Sequence, residues 1–504
     1  MNDYLMGIDI GTASVKVAVL DSSARVVGIR ALEYTIDTPQ PGWAQINSKS
    51  LWNAYLSCVH ALVKQDQIDI GRVAGIGISC LCPGLAAFDA DGNCIVDPIL
   101  YSDQRSVEEA RWIKQTVDTD KIFAITANNV MAGAISVTSM LWVKRNMPQH
   151  YEKIHCFGHV NTLMALWLTG AYGIDYSNAS YTGLFETAGG KQWSSYLCEK
   201  IGIDADKLPP LMASHDVVGS IIAEDLIALG VAAGTPVVIG GGDTACASLA
   251  VGVTKNGDVC ESVGTTNVLT VCVDRPKFDR SFINRCHVVQ GTWIYQGALS
   301  HTGASLRWFQ DEFCFDVVQQ ARAQGISAFS LMDQMAQQAE PGAGGVVFLP
   351  YMLGERSPVW DTNARGVFFG MSLASKRADM VRAVLEGCGY GLRQLMEIAR
   401  RVTGWQITEF VSIGGGSKSV VWSQIKAEIT GARIHVLENN EAAPMGAALL
   451  AGVGCGMFVS PQAAAALTDK RVMRSFSSND RNRELYDARY HVYTQLYPRL
   501  KDLF

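Results

Sequence analysis

The sequence carries little charge for its length. Only 18% of its 504 residues are Asp, Glu, Lys or Arg, against ~25% in an average soluble domain. Proline is scarce too, at 15 residues. With 48% hydrophobic residues, global disorder is excluded. The formal charge of −6 lacks the basic footprint of a nucleic-acid binder. Long apolar runs are missing: Ala74–Phe88 and Met445–Val459 are short and broken by glycine, so no membrane span is read. Asp3, Asp9 and Lys16 interrupt the first apolar run, and no signal peptide is expected. The 13 cysteines include no Cys-x-x-Cys pair, which predicts reduced thiols in a cytoplasm. His155-Cys156-x-x-His159 is metal-like in spacing, but lacks a second ligand pair and is read as structural.

What is plentiful is glycine, at 48 residues. At roughly 150 residues per domain, the length predicts two to four domains. The first thirty residues read as a β-meander, in which Val15, Val17 and Val19 alternate as a half-buried strand. A helix over Leu51–Lys64 places Leu51, Tyr55, Val59, Leu62 and Val63 on one face. A strand at Val73–Ser79 and a hairpin over Leu85–Leu100 follow. The opening device returns near mid-chain, where Val259–Val263 and Val268–Val273 flank a Gly-Thr turn. Gly11 and Gly264 stand 253 residues apart, which predicts two related domains. The boundary is placed after Thr244, giving 1–244 and 245–504. Helices are expected over Asp379–Thr403 and Val421–Gly431. A final amphipathic helix is read from Leu485, Val492, Leu496, Leu500 and Leu503.

Two Gly-Thr hairpins facing each other would clamp phosphates. Glycine lets backbone N–H groups approach an anion, and threonine adds a hydroxyl. Asp9, just before the first hairpin, is placed to hold Mg²⁺, which takes carboxylate, phosphate and water oxygens. A third element, Ser412-Ile413-Gly414-Gly415-Gly416-Ser417, runs from a strand into glycines and can seat a nucleotide at the following helix. A fourth, Gly240-Gly241-Gly242-Asp243-Thr244, ends a strand with an acid. Such strand ends bind ligands in open α/β sheets. Asp243 there could accept a hydroxyl proton during attack on a phosphoryl group, or cap the next helix. The small residues of Glu441–Ala448 are read as close helix packing.

Together these segments resemble the FGGY carbohydrate kinases of the actin/hexokinase/Hsp70 superfamily. The most specific piece is Gly366-Val367-Phe368-Phe369-Gly370-Met371, followed by Asp379–Glu386. Phe348–Pro358 and Gly303–Trp308 add to it. The resemblance implies an α/β fold of two ribonuclease H-like domains around a cleft, and a cytoplasmic, ATP- and Mg²⁺-dependent kinase. It implies Asp243 as the catalytic base, with Asp9 holding magnesium beside it. Thr12, Ala13, Ser14 and Lys16 would line the ATP phosphates opposite Gly264 and Thr265. Gly303, Gly415 and Gly416 would flank the nucleoside. On the sugar side stand Cys82, Asp103, Asp243 and Thr244. The loop Leu81-Cys82-Pro83-Gly84 departs from the family's polar segments and offers only a thiol and backbone. Tyr101 replaces the usual tryptophan before Asp103-x-Arg105. The expected substrate is a ketopentose, with a polyol as runner-up and a non-catalytic actin/Hsp70-like nucleotide-binding protein as the contrasting class. The expected partners are a small sugar and, in one version, a second copy in a homodimer, with neither nucleic acid nor membrane.

Overall fold

In the computed structural model, which describes residues 3–438, 441–468 and 470–504, the chain is organised by two mixed sheets. The first comprises β1 (Tyr4–Ile10), β2 (Ser14–Asp21), β3 (Val26–Glu33), β4 (Val73–Cys80), β5 (Val217–Ser220) and β6 (Pro236–Gly242). Their order is β5-β6-β4-β1-β2-β3. The meander β1–β2–β3 is antiparallel, β4 and β6 extend it in parallel, and β5 closes the edge antiparallel.

The helix α1 (Ser48–Lys64) buries Leu51, Tyr55, Val59 and Leu62 against Val15, Val17 and Val19 of β2. The other face of β2 is also covered: Ala18 and Leu20 enter a separate core. The half-buried strand expected from alternation is therefore buried on both sides except at Lys16 and its two ends.

The second sheet comprises β7 (Val259–Val263), β8 (Asn267–Val273), β9 (Ile283–Cys286), β10 (Trp293–Leu299), β11 (Glu409–Ile413), β12 (Arg433–Leu437) and β13 (Val472–Phe476). Its order is β9-β10-β8-β7-β11-β12-β13. Strand for strand it repeats the first sheet. An antiparallel meander β7–β8–β10 is extended in parallel by β11 and β12 and closed antiparallel by β13. Only β9 has no counterpart. The repeat suggested by two Gly-Thr turns is thus a repeat of whole sheets.

After β6 the chain enters α2 (Asp243–Ala250), so the division expected after Thr244 falls inside a helix. The second half adds α3 (Thr302–Phe313), α4 (Arg377–Thr403), α5 (Val420–Thr430), α6 (Ala442–Gly454) and α7 (Arg483–Leu500). Asp379, expected to open α4, instead accepts from the Lys376 amide at 2.8 Å and anchors the first turn.

α6 crosses to the first sheet and packs on β1, β4 and α2. Its small residues permit this: a Cβ on Gly77 would lie 2.0 Å from the Ala447 carbonyl, and one on Gly446 would lie 1.9 Å from that of Cys246. The close-packing reading of Glu441–Ala448 holds. One core joins Leu5, Ala18 and Leu20 to Leu249, Cys260, Cys272 and Leu449.

α7 buries Tyr486, Tyr490, Tyr493 and Leu496, while Leu503 is 79% exposed. Val492 and Leu500 pack against the same core, so the face read from the aliphatic residues holds within the helix and is shared with the tyrosines. No helix among the described residues is long and apolar enough to cross a membrane.

Candidate active site

The first hairpin closes with the Gly11 amide donating to the Ser14 carbonyl at 2.9 Å. The Tyr34 hydroxyl donates to the Gly11 carbonyl, and Thr12 Oγ1 lies 3.3 Å from the Tyr101 hydroxyl. Ala13 at the tip is exposed. The second hairpin repeats the closure, with the Gly264 amide on the Thr266 carbonyl at 2.8 Å and Gly264 and Thr265 exposed.

α3 begins against this second tip. Ala304 donates to the Thr265 carbonyl at 3.1 Å, and any side chain at Gly303 would meet the Gly264 oxygen at 2.1 Å. Gly415 is exposed, while Gly416 sits on Val263, the last residue of β7. Gly264, Thr265, Gly303, Gly415 and Gly416, distant in sequence, thus gather around the end of one strand.

Asp9 is only 6% exposed, and the Ser79 hydroxyl donates to its Oδ1 at 2.7 Å. Burial, reinforced by the charge of Asp243, pushes its carboxyl up to about 7. Lys16, its cross-strand neighbour, sends Nζ to Glu441 at 2.5 Å instead.

Asp243 is the first residue of α2. Gly240 sets its approach: this glycine has φ +69°, and a Cβ there would meet the Ile78 carbonyl at 1.6 Å. Gly242, not Asp243, holds the cap position, so the alternative of an aspartate cap does not apply. The Thr244 amide and hydroxyl both donate to Oδ1 of Asp243, at 2.5 and 3.0 Å. Burial raises the Asp243 carboxyl, and the Arg285 guanidinium opposes that rise.

Among the described residues no third His, Cys, Asp or Glu completes a metal cluster around Asp9 and Asp243. Two mutually repelling carboxylates with little else suit a hard cation that takes its remaining oxygens from phosphate and water.

A cavity of about 590 Å³ is lined in part by Cys82, Tyr101, Ser102, Gln104, Tyr181 and Glu355. Thr265 and Thr266 of the second hairpin also reach it. Cys82 donates its thiol to Asn178 Oδ1 at 2.7 Å.

Asp103 is not brought to this cavity. It is 1% exposed, is gripped by Arg105 at 2.8–3.0 Å, and accepts from the Ala44 amide at 2.6 Å. Arg105 stacks on Trp43 at 3.9 Å, which fixes the pair as scaffold. The neighbours Tyr101, Ser102 and Gln104 face the cavity instead.

Two site residues had no role in the sequence reading. Glu355 accepts from the Ser300 and Arg356 amides through Oε1, while its buried Oε2 has no partner. Burial pushes its carboxyl up to about 7. Its place in Gly354-Glu355-Arg356 was visible, but not its function. Arg285 belongs to no motif and could be found only in three dimensions. His155 and His159 bond different partners: His155 meets Tyr172, and His159 lies between Ser136 and Asn178.

Comparison with known proteins places the fold in a family. Residues 4–250 match the N-terminal domain of the FGGY family of carbohydrate kinases, and residues 260–455 match its C-terminal domain. The chain is 30% identical to a xylulose kinase of Bacillus subtilis (strain 168), over 99% of this chain and 98% of that one. It is 28% identical to a gluconokinase of the same organism, over 89% of this chain and 87% of that one. The crystal structure of xylulose kinase from Rhodospirillum rubrum superposes with a TM-score of 0.89 at 26% identity, covering 99% of each chain. With both family domains matched in order across most of its length, the chain belongs to the FGGY family of carbohydrate kinases.

Proposed function

We propose that this carbohydrate kinase transfers the γ-phosphoryl group of ATP in line to a hydroxyl of a small sugar, with Asp243 as general base. The observation that carries the reading is the position of Asp243. It stands at the end of β6 and the head of α2, beside a second buried carboxylate and near a cavity of sugar size. A base must lie within hydrogen-bond reach of the proton it takes.

Asp9 and Asp243 would hold Mg²⁺, which supplies charge neutralisation for the phosphates when bound. The two hairpins present Thr12, Ala13, Ser14 and Gly264, Thr265 to the phosphates. Gly415 faces open space and would leave room for the nucleoside, while Gly303 and Gly416 let the strand end and the following backbone pack closely around it. Burial raises the Asp243 carboxyl, which makes it a better proton acceptor once ionised, and the Arg285 guanidinium opposes that rise.

The resemblance suggests a ketopentose acceptor, with a polyol as runner-up. The name of one relative adds an aldonate. The loop Leu81–Gly84 contributes only the Cys82 thiol and backbone, already partnered by Asn178. A missing polar partner costs ~1–3 kcal/mol, so D-xylulose is expected to fall roughly ten- to a hundredfold below an ordinary sugar-kinase kcat/KM. Coupled ADP release tests the kinase reading itself. ADP should appear only when ATP, Mg²⁺ and a sugar are present together. Sugar-independent hydrolysis, or no turnover with any ketose, polyol or aldonate, would overturn it.

A further inference from the structure

Arg285 lies on β9, the strand of the second sheet that the first sheet does not repeat. Its side chain is 1% exposed, and Nε, Nη1 and Nη2 all lack a hydrogen-bond partner. No carboxylate among the described residues forms an ion pair with it. A guanidinium offers five donors and cannot shed its charge. Buried charges are otherwise paired, and this one is not.

Its side chain lies behind the cavity wall, against residues that line the cavity. Ile283, two residues earlier on the strand, lines that cavity, and residues i and i+2 of a strand share a face. The Tyr181 ring, another cavity wall, lies 5.1 Å from the guanidinium carbon. A Cβ on Gly242 would touch both Arg285 Nη1, at 2.7 Å, and the cavity residue Cys82, at 2.9 Å. Gly242 immediately precedes Asp243, so the charge sits beside the catalytic strand end.

Of the other charges near the site, Asp175 is held by Ser177 and Asn178, and Glu355 is bonded through Oε1 to the Ser300 and Arg356 amides. Asp9 and Asp243 would hold the divalent cation that neutralises the phosphates. Asp243 shares Oδ1 with Thr244 and makes no direct contact with Arg285 among the described residues. The guanidinium therefore has no direct ion-pair partner among the described residues, only the more distant charges of Asp243 and Asp175, and it stands next to a loop that has no polar side chain for a neutral sugar.

We infer that Arg285 is a specificity-determining residue that reads an anionic group of the acceptor, and that the acceptor is a sugar acid of the aldonate class rather than a neutral ketose or polyol. The inference rests on the kinase reading above and narrows its substrate. A carboxylate end would meet the planar donors of Arg285 with charge-assisted hydrogen bonds. The hydroxyls toward the other end would lie near Asp243.

The test compares shapes that differ only in charge. Wild-type enzyme is assayed by ADP release with five- and six-carbon aldonates, their aldonamides, the matching alditols, and D-xylulose. The best aldonate should exceed its own amide by ~100-fold in kcat/KM, as a charged hydrogen-bonding partner does over a neutral one. In Arg285→Met that ratio should collapse to about threefold or less, and Arg285→Lys should restore part of it. A loss of fold would lower both substrates together and leave the ratio, and the wild-type comparison needs no variant at all.

A neutral ketose or polyol as best substrate overturns the inference and leaves the kinase reading standing. So does an acid-to-amide ratio near one. So does an Arg285→Met enzyme whose pH profile shifts while the ratio stays at its wild-type value, because Arg285 would then serve Asp243 alone. Absence of turnover with every acceptor overturns both readings.

Discussion

The two sheets place an acid on the same strand of the same plan and treat it in opposite ways. Asp9 on β1 and Glu261 on β7 each lie beside a serine of the adjacent parallel strand, and each accepts from that hydroxyl at 2.7 Å. Glu261 precedes its hairpin glycine by three residues and Asp9 by two. A one-residue phase shift turns a strand side chain to the other face. Glu261 accordingly meets Lys426 of α5 at 2.5 Å, with both side chains fully buried, and also accepts from Asn267 at 2.8 Å. Asp9 feels the charge of Asp243 instead, a like charge that raises its carboxyl. One half neutralises its acid internally and becomes scaffold. The other leaves its acid without an internal counter-charge of that kind, and it is there that we propose the chemistry lies.

Asp243→Asn breaks the comparison hardest. The fold needs no carboxylate there, since Gly242 is the cap. Activity should fall ~10²–10⁴-fold, the usual cost of losing a general base. The melting temperature should stay close to wild type. A variant keeping more than about a tenth of kcat, short of that penalty, would remove Asp243 as base.

Lys426→Met attacks the neutralised side. It strands the buried Glu261 charge, and breaking such a pair costs ~3–5 kcal/mol. Urea unfolding should register the loss, and the double variant Lys426→Met/Glu261→Gln should recover most of it. Equal stabilities of single and double variants would refute the pairing argument.

Asp9→Asn should do the reverse and stabilise the ligand-free protein at pH 8. The Asp9 carboxyl rises from 3.8 to about 7 on folding. The folded state therefore binds the proton more tightly, and stability is lost as pH climbs through that interval. At ~1.4 kcal/mol per pH unit, the ceiling is ~4 kcal/mol at pH 8, shrinking toward acid. Melting curves at pH 5 and pH 8 check the sign, and the magnesium requirement for turnover should rise.

Lys16→Ala should matter least. Its pair with Glu441 is half exposed, and such pairs contribute ~0–1 kcal/mol. A larger loss of stability would mean that Lys16 holds more than that carboxylate.

Much of this was legible in one dimension. Glycine turns between alternating apolar strands marked both hairpins, because their spacing and chemistry are local. Asp243 was legible for the same reason, as an acid ending a glycine run. Asp103 was misplaced because the Asp-x-Arg pattern that drew attention to it also closes on itself, with Arg105 taking both oxygens. The aliphatic face of α7 was legible, but its tyrosines were missed because tyrosine is half polar on any scale, yet three tyrosines fill the core. Glu355 and Arg285 depend on tertiary context alone. Their significance is an absent partner, which no local pattern encodes.

The crossing of α6 onto β1 and β4 sets the order in which a ribosome can finish this molecule. The sheet begun at Tyr4 exposes the groove over Gly7 and Gly77 until the helix ending at Gly454 has been made. By then nine-tenths of the chain is synthesised. The first half to emerge is thus among the last to be sealed, and the nascent chain carries an open apolar face through most of its translation.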